Sequence, residues 1–260
     1  MTAETVDLNC DMGESFGAYN LGLDDQVIRY VTSANIACGF HAGDPLVMNR
    51  TVQLAAKHGV AVGAHPGFPD LEGFGRRNMD CSLNEIRAYV TYQVGALMAF
   101  CAKHGVRLQH VKPHGSLYNM AAVKKSVARA IAEAVTSVDS NIILVALAGK
   151  NAELISSIGR EVGVRVAFEA FADRAYAPDG KLVSRRLPGA VIKNPACAAE
   201  QALRIVRDGR VIAIDGSFLN VEAQTLCIHG DTPGASDLLH SIRERLINEG
   251  IVLQPLQTFC

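Results

Sequence analysis

The stretch at residues 59–77, GVAVGAHPGFPDLEGFGRR, constrains the fold more than any other part of the sequence. Residues 60–64 are a short apolar, partly β-branched run after a glycine, which predicts a buried strand. Pro66 and Gly67 end that strand, because proline lacks a ladder donor and glycine tolerates the turn that follows. The strand therefore delivers His65 at its carboxyl end, ahead of a loop of charges and glycines. Parallel α/β barrels build their active sites in this way.

Other short apolar runs end in the same manner and alternate with helical patterns. The predicted barrel strands are residues 6–10, 33–37, 60–64, 108–112, 142–148, 164–168 and 225–228, with a small hairpin of 211–214 against 221–222. The sequence KHGV precedes a strand twice, which suits a serial βα architecture. Seven strand–helix units predict an α/β fold, a distorted TIM-like (β/α) barrel of seven parallel strands, in one domain over residues 1–260.

Several helix boundaries carry their own signals. Asp44 followed by Pro45 predicts a helix start, because aspartate accepts orphan N–H groups and proline has none to lose. Ser82 and Glu85 form a predicted capping box ahead of a long apolar stripe, and Asn151 is predicted to cap a later helix. Further helices are predicted at residues 24–32, 124–135 and 197–208, with Thr232 and Pro233 opening the last one.

Composition excludes several classes of function. A formal net charge of -1 and a pI near 6.7 leave no basic surface for a phosphate backbone, so we expect no nucleic-acid partner. No run approaches the roughly 20 apolar residues of a membrane span, and no signal segment is evident, so we expect a cytoplasmic protein without a membrane partner. Seven cysteines without a C-x-x-C pair argue against a disulfide framework or a structural zinc site.

The strand exits carry the candidate functional residues. Strand carboxyl ends of a parallel barrel face one rim, so exits far apart in sequence can converge. The titratable residues at the predicted exits are Asp11, Glu14, His41, Asp44, His65, Lys112, His114, Glu169, Asp173, His229 and Asp231. Such a cleft requires these groups to bond to one another or to a ligand, since unpaired buried charges are costly.

Some of these residue types have a structural interpretation. Asp44 can act as a helix cap as well as a site residue. Cys38 could be a nucleophile, but buried cysteine is common and no separate feature supports its activation. His58 and His104 fall at helix carboxyl ends, where the dipole favours a cation, and are interpreted as structural.

Metal and phosphate binding remain open at this level. A zinc or manganese site would suit histidines and aspartates on a rim, but H-E-x-x-H is missing, so ligands would come from three separate strands. The sequence contains neither G-x-x-x-x-G-K-[ST] nor a strand-linked G-x-G-x-x-G, although residues 73–77 and Lys112 could hold an anion.

The assembled exits carry a family resemblance that runs from residue 6 to about 255. The segments DLNCDMGE, SANIACGFHAGDP, GAHPGFPDLEGFGRR, VKPHGSLYN, EAFADRAYAPDGKLVSR and CIHGDTPGA resemble the LamB/YcsF family, whose members serve as the A subunit of the prokaryotic ATP-dependent 5-oxoprolinase. The resemblance implies a seven-stranded (β/α) barrel that hydrolyses the lactam of 5-oxo-L-proline to L-glutamate with ATP, in a complex with B and C subunits. It implies ATP, accompanied by Mg²⁺, as co-substrate, and leaves open which subunit binds it.

The implied chemistry suggests roles. Phosphorylation of the lactam oxygen would activate a poor electrophile for attack by water. Asp11 or His65 would take the water's proton, and His114 or His229 would serve the ring nitrogen. The candidate catalytic residues are Asp11, His41, His65, His114 and Glu169. The candidate substrate- or phosphate-binding residues are Asn9, Asn35, Arg77, Lys112, Asn119, Arg174, Arg185, His229 and Asp231.

Two other functions fit the same rim. One is a metal-dependent amidohydrolase or deacetylase that needs no ATP. The other is a noncatalytic subunit that binds the substrate and passes it to a partner, which the missing nucleotide loop leaves possible.

Overall fold

A closed parallel barrel forms the centre of the computed structural model, which describes residues 4–228 and 234–260. In chain order the strands are β1 (Thr5–Met12), β2 (Ser33–Ala37), β3 (Ala61–His65), β4 (Leu108–Val111), β5 (Ile143–Leu147), β6 (Arg165–Phe171), β7 (Arg210–Ile212), β8 (Phe218–Asn220), β9 (Thr225–Cys227) and β10 (Val252–Leu253). The order β1-β2-β3-β4-β5-β6-β9 closes where β9 pairs with β1, so the predicted seven-stranded TIM-like barrel is confirmed. β7 and β8 form a small antiparallel hairpin, but its second arm is Phe218–Asn220 and not the predicted 221–222. β10 pairs with β1 outside the ring.

Helices surround the barrel. They are α1 (Asp24–Val27), α2 (Pro45–His58), α3 (Leu83–Lys103), α4 (Gly115–Val123), α5 (Lys125–Val138), α6 (Ala152–Val162), α7 (Pro195–Asp208) and α8 (Ala235–Asn248). Two predicted starts are confirmed: Asp44 Oδ1 accepts from the N–H groups of Leu46 and Val47, and Ser82 forms its capping box with Glu85. Among the described residues, no helix has the length and hydropathy needed to cross a membrane.

Other boundaries differ from the sequence prediction. The helix expected at residues 24–32 is α1 followed by a 3₁₀ turn at Ile28–Tyr30. Asn151 occupies the cap position of α6, but its side chain donates to the Ala122 carbonyl instead. Thr232 and Pro233, predicted to open the last helix, lie outside the described residues.

Helix α4 was not predicted, because its start depends on a long-range contact rather than on a capping side chain. The Ser116 N–H donates to the Gly75 carbonyl at 2.9 Å, and no side chain caps the helix. Gly115 has a φ of 54°, and a Cβ there would lie 2.6 Å from the same carbonyl oxygen. The loop after β3 therefore sets where α4 begins.

Strand β1 shows how the barrel divides apolar from polar residues. Val6, Leu8 and Cys10 belong to the large apolar core shared with the helices. The alternate residues Asp7 and Asn9 are buried and bond across the barrel interior. The period of two along a strand thus places the apolar core outside the barrel and a polar network inside it.

The barrel is closed near the amino ends of its strands. Asp7 accepts hydrogen bonds from the hydroxyls of Thr32, Ser33 and Thr225 at 2.5–2.6 Å. Leu256, from the carboxyl-terminal segment, packs in a small apolar cluster with residues of β5 and β6. The opposite, carboxyl ends of the strands are left for the functional site.

Gly63 of β3 is required by the packing inside the barrel. A Cβ at this position would overlap the imidazole of His110 on β4. That ring is held on both sides: Nε2 donates to Asn35 Oδ1 at 2.6 Å, and Nδ1 accepts from Gln109 Nε2 at 3.0 Å. A side chain at residue 63 would have to displace a fully bonded histidine.

We predict that Gly63→Ala destabilises the protein by about 1–3 kcal/mol, the usual cost of overpacking a filled core. Gly95→Ala is the matched control, because Gly95 lies on the exposed side of α3 and a Cβ there meets no atom within 4 Å. Its higher helix propensity should stabilise the protein by about 0.5–1 kcal/mol. Chemical denaturation of both variants measures the difference, and equal free energies of unfolding would refute the packing argument.

Candidate active site

The carboxyl ends of the barrel strands open into a cavity of about 870 Å³. Predicted site residues that line it are Asp11, His65, Lys112, His114, Asn119, Arg174 and Arg185. Three others, Asn9, Asn35 and Glu169, lie beneath it in the polar interior, and His41 packs behind the lining histidines. His229 and Asp231 lie outside the described residues. The structure thus brings most of the predicted site together at one end of the barrel.

Lys112 is the central cation of the site. Its Nζ lies 2.9 Å from Asp11 Oδ1, 2.8 Å from Glu169 Oε1 and 3.1 Å from Cys227 Sγ. Burial alone would lower the pKa of Lys112, but the neighbouring carboxylates, Asp11 first, raise it well above its usual value. The lysine is therefore charged and compensates the two acids on either side.

Amides and a phenol complete the bonding of those carboxylates. Asn35 Nδ2 donates to Asp11 Oδ1 at 2.8 Å and to Asn9 Oδ1 at 2.7 Å. Glu169 Oε1 accepts from Asn9 Nδ2 at 3.0 Å, and its Oε2 accepts from the Tyr118 hydroxyl at 2.9 Å. Glu169 lies within β6 and not after it as the sequence suggested, because β6 continues to Phe171. It serves the interior network, while Asp11 faces the cavity.

Three imidazoles, His41, His65 and His114, form what we call the histidine cluster. The His41 and His114 rings stack with centroids 3.7 Å apart and planes at 3°. His65 Nε2 lies 3.0 Å from His114 Nδ1 and 3.3 Å from Asp11 Oδ2. Glu14 Oε1 lies 3.6 Å from His41 Nε2 and 3.9 Å from His114 Nδ1.

Burial controls the charge of two members of this cluster. It lowers the pKa of His41 well below the usual value, and the neighbouring His65 lowers it further. Burial likewise lowers the pKa of His114, with His41 and His65 adding to the effect. Both rings are therefore neutral at ordinary pH, with nitrogen lone pairs available.

Glycines allow this close packing. A Cβ at Gly67 would lie 2.7 Å from His41 Nδ1, and one at Gly75 would lie 2.7 Å from His41 Cβ. Gly13 adopts a φ of 68° directly after β1, and its N–H donates to Asp24 Oδ2 at 2.8 Å. This turn directs Glu14 back towards the cluster.

Arg77 is placed differently from the sequence prediction. Its Nε donates to Asp70 Oδ1 at 2.8 Å and its Nη1 to Glu72 Oε2 at 3.0 Å, and its side chain is 59% exposed. It is not among the described residues that line the cavity, where Arg76 appears instead. Asp70 and Glu72 lie in the same loop as Arg77 and pair with its guanidinium. These ion pairs keep the Arg77 side chain out of the cavity.

The loop fixed by Arg77 orients a histidine. Phe74 takes a left-handed conformation with a φ of 54°, which is uncommon for a residue with a side chain. Its carbonyl accepts a hydrogen bond from His114 Nε2 at 2.8 Å. The loop therefore positions His114 from the outside of the site.

Several residues of the site were missed or undervalued from the sequence. Tyr118 lies on α4, which gave no signal of its own. Asp7 and His110 lie inside the barrel. The alternation of inward- and outward-facing residues along β1 and β4 is the sequence signal that could have placed them there. Glu14 was recognised at a strand exit but not selected as catalytic.

Comparison with known proteins agrees with this architecture. The LamB/YcsF family model matches residues 6–260, which include every described residue of the site. The chain belongs to the LamB/YcsF family. It is 53% identical over 254 residues to the A subunit of 5-oxoprolinase from Pyrococcus furiosus, covering 98% of each chain. It is 55% identical over 246 residues to the corresponding protein of Alkaliphilus metalliredigens, covering 95% of each.

Two solved structures share the barrel fold of this LamB/YcsF chain. The lactam utilization protein from Thermus thermophilus matches with a TM-score of 0.89 and 48% identity, over 96% of this chain and 99% of that one. A cellobiose-phosphate cleavage protein from Enterococcus faecalis matches with a TM-score of 0.58 and 14% identity, over all of both chains, and shares the fold alone.

The neutral His110 should make stability depend on pH. Burial, and then the Lys112 charge, lowers the pKa of His110 to about 3, whereas an unfolded histidine titrates at about 6.5. Between these values the unfolded chain binds more protons, so the free energy of unfolding should fall as pH drops below about 6.5. His110 should contribute up to about 1.4 kcal/mol per pH unit to this slope.

Denaturation at a series of pH values tests this. His110→Gln should make the slope between about pH 6 and about pH 4 shallower by close to one proton, while Gln53→Ala, at an exposed position of α2 that does not titrate, should leave it unchanged. Identical slopes in wild type and both variants would show that His110 does not remain neutral in the folded protein.

Proposed function

We propose that this chain opens the lactam ring of 5-oxo-L-proline to give L-glutamate, as one component of an ATP-dependent enzyme that also has B and C subunits. The relatives named as the A component of 5-oxoprolinase, which match over nearly their full length, support this assignment. The observation that carries it is the convergence of Asp11, His65 and His114 on one cavity at the barrel mouth. Acid and base groups in hydrogen-bonding reach of one another are what hydrolysis of an amide bond requires.

The cavity has one surface that can bind a negatively charged substrate and another, around Asp11 and the histidines, where the reaction can take place. Its wall includes the basic residues Arg76, Lys150, Arg174, Lys181, Arg185 and Arg186. Guanidinium groups suit a carboxylate or a phosphoryl group, because they donate paired hydrogen bonds. Arg174 is anchored through donation to the Val183 and Ala190 carbonyls, and we assign it and Arg185 to the substrate carboxylate.

Asp11 is the best-placed proton acceptor. Lys112 and Asn35 hold its Oδ1, which leaves Oδ2 beside His65 Nε2 at the cavity. In the proposed reaction Asp11, assisted by His65, takes the proton of the attacking water. His114 or His229 then delivers a proton to the ring nitrogen as the carbon–nitrogen bond breaks, which leaves an acyl phosphate. A second water hydrolyses that acyl phosphate to the side-chain carboxylate of L-glutamate and inorganic phosphate.

ATP, with its Mg²⁺, would supply a phosphoryl group that activates the lactam oxygen. The basic residues of the cavity wall could bind the phosphoryl group, and the amides and the lysine around Asp11 could bind the activated lactam. The hydrogen-bond donors of the site are therefore compatible with a phosphorylated substrate. The chain's own part is to orient that substrate, exclude bulk water and move protons. We place the enzyme in the cytoplasm, where its free cysteines would stay reduced.

Activity of the reconstituted complex tests these roles. Asp11→Asn, His65→Ala and His114→Ala should each lower lactam turnover by about 100- to 10,000-fold, the range for loss of an acid or base. Asp25→Asn and His58→Ala, at exposed helix positions, are the carboxylate and imidazole controls and should retain normal turnover. Near-normal turnover in all three site variants would contradict the assignment.

A metal-dependent amidohydrolase or deacetylase is the second candidate, since Glu14 and the histidine cluster could hold a metal ion. Lactam opening that proceeds without ATP would favour it. A noncatalytic role predicts that purified partners open the lactam equally well without this chain.

A further inference from the structure

We propose that Glu14, His41, His65 and His114 form a binding site for one zinc-type divalent cation. One ligand atom from each residue lies within 4.8 Å of all the others. The four residues lie at the carboxyl ends of four different barrel strands, His65 as the last residue of β3 and the others in the loops after β1, β2 and β4. The site adds to the proposed function, and only the cation's role in lactam opening rests on that function. Three steps support it: the placement of protons, the bonding of His41, and the donor geometry.

Backbone carbonyls fix the protons of two histidines. His65 Nδ1 lies 2.7 Å from the Lys112 carbonyl oxygen, and His114 Nε2 lies 2.8 Å from the Phe74 carbonyl oxygen. A carbonyl can only accept, so each of these nitrogens carries a ring proton. His65 Nε2 and His114 Nδ1 then face each other across 3.0 Å with lone pairs and no proton between them. Two lone pairs at this distance require an electrophile.

His41 distinguishes a metal ion from a shared proton. A proton shared between His65 and His114 would satisfy the nitrogen atoms of that pair, but it would give His41 no bonding partner. Both ring nitrogens of His41 are buried and have no hydrogen-bond partner among the described residues. Burying an imidazole without hydrogen-bond partners costs free energy. Binding of His41 to the metal ion as its fourth ligand would offset that cost. Its Nε2 points to the same place, 3.6 Å from Glu14 Oε1.

The donor geometry suits zinc. Tetrahedral Zn²⁺ with bonds of about 2.0–2.1 Å places neighbouring ligand atoms about 3.3–3.4 Å apart. Three ligand pairs are 3.0, 3.6 and 3.9 Å apart, around that value, and because no pair is separated by more than 4.8 Å, side-chain movements of about 1 Å would close the site. Three imidazoles and one carboxylate favour zinc-type cations over Mg²⁺ or Ca²⁺, which prefer oxygen ligands. The carbonyl bonds to His65 and His114 are the outer-shell contacts that orient metal-binding histidines.

The position of the site links it to the cavity. Glu14, His65 and His114 line the cavity, so a bound cation would be reachable by a substrate. It would polarise a lactam carbonyl or a bound water, and Asp11 beside His65 would remain as the proton acceptor. With His114 engaged by the cation, the proton for the ring nitrogen would come from His229, the other donor named for that step.

Metal titration of the full chain, without lactam or partner subunits, tests the site. Protein stripped with a chelator is titrated with Zn²⁺ by calorimetry, and bound zinc is counted by elemental analysis, with Mg²⁺ as the comparison. We expect one Zn²⁺ per chain. His41→Ala and Glu14→Gln should weaken its binding by more than the about 10- to 100-fold that loss of an outer-shell partner costs. His58→Ala is the matched histidine control and should bind normally.

The outcomes separate clearly. Absence of stoichiometric zinc, equal affinity in wild type and both ligand variants, or Mg²⁺ binding as tight as Zn²⁺ would overturn the site. If His41→Ala does not fold, two other measurements decide the question. One is zinc binding by Glu14→Gln, which keeps the side-chain shape, and the other is the visible absorption of the wild type loaded with Co²⁺. A spectrum identical to that of free aqueous Co²⁺ would contradict the site. Failure of zinc binding while Asp11→Asn still abolishes lactam opening would leave the proposed function intact.

Discussion

The ammonium of Lys112 between the carboxylates of Asp11 and Glu169 is the interaction on which the interior of this barrel depends. Two buried acids at the centre of a closed sheet would repel each other and lose their hydration. One buried cation within 3 Å of both offsets that cost, and the amides of Asn9 and Asn35 satisfy further oxygen atoms. The backbone carbonyl of the same lysine accepts a hydrogen bond from His65 Nδ1. This bond connects the Lys112 ion pairs to the histidine cluster.

This arrangement explains why the barrel interior is polar while the protein still has a large core. Most apolar residues of the strands pack outward against the helices, where the continuous core lies, while Ile143, Val145 and Ala167 pack with Leu256 in a separate small cluster. The interior contributes little hydrophobic stabilisation and instead holds functional groups in fixed orientations through hydrogen bonds. Such a site is preorganised, since its side chains are bonded before any substrate arrives.

Local sequence signals predicted the features that depend on neighbouring residues. The Asp44–Pro45 helix start, the Ser82–Glu85 capping box and the seven apolar strands were of this kind. The placement of histidines at strand exits also followed from topology alone, because parallel strands share one rim.

Features that depend on distant contacts could not be predicted in this way. Arg77 had the residue type of an anion binder, but Asp70 and Glu72 in its own loop hold it on the surface. Glu169 was predicted to follow a strand, but β6 continues past it to Phe171. Helix α4 begins where the Ser116 N–H donates to the Gly75 carbonyl. Long-range register decides the cases of Glu169 and α4, and spacing carries no record of it. Arg77 differs, because a local ion pair competes there with the cavity, and residue type alone does not show which of the two prevails.

The most direct measurement is a crystal structure of the chain with 5-oxo-L-proline bound. The account predicts the lactam ring inside the cavity, with its amide facing Asp11 and the histidine cluster and its carboxylate facing Arg174 and Arg185. A lactam bound elsewhere on the chain, with the cavity filled only by water, would contradict the claim that the strand exits of this barrel form its active site.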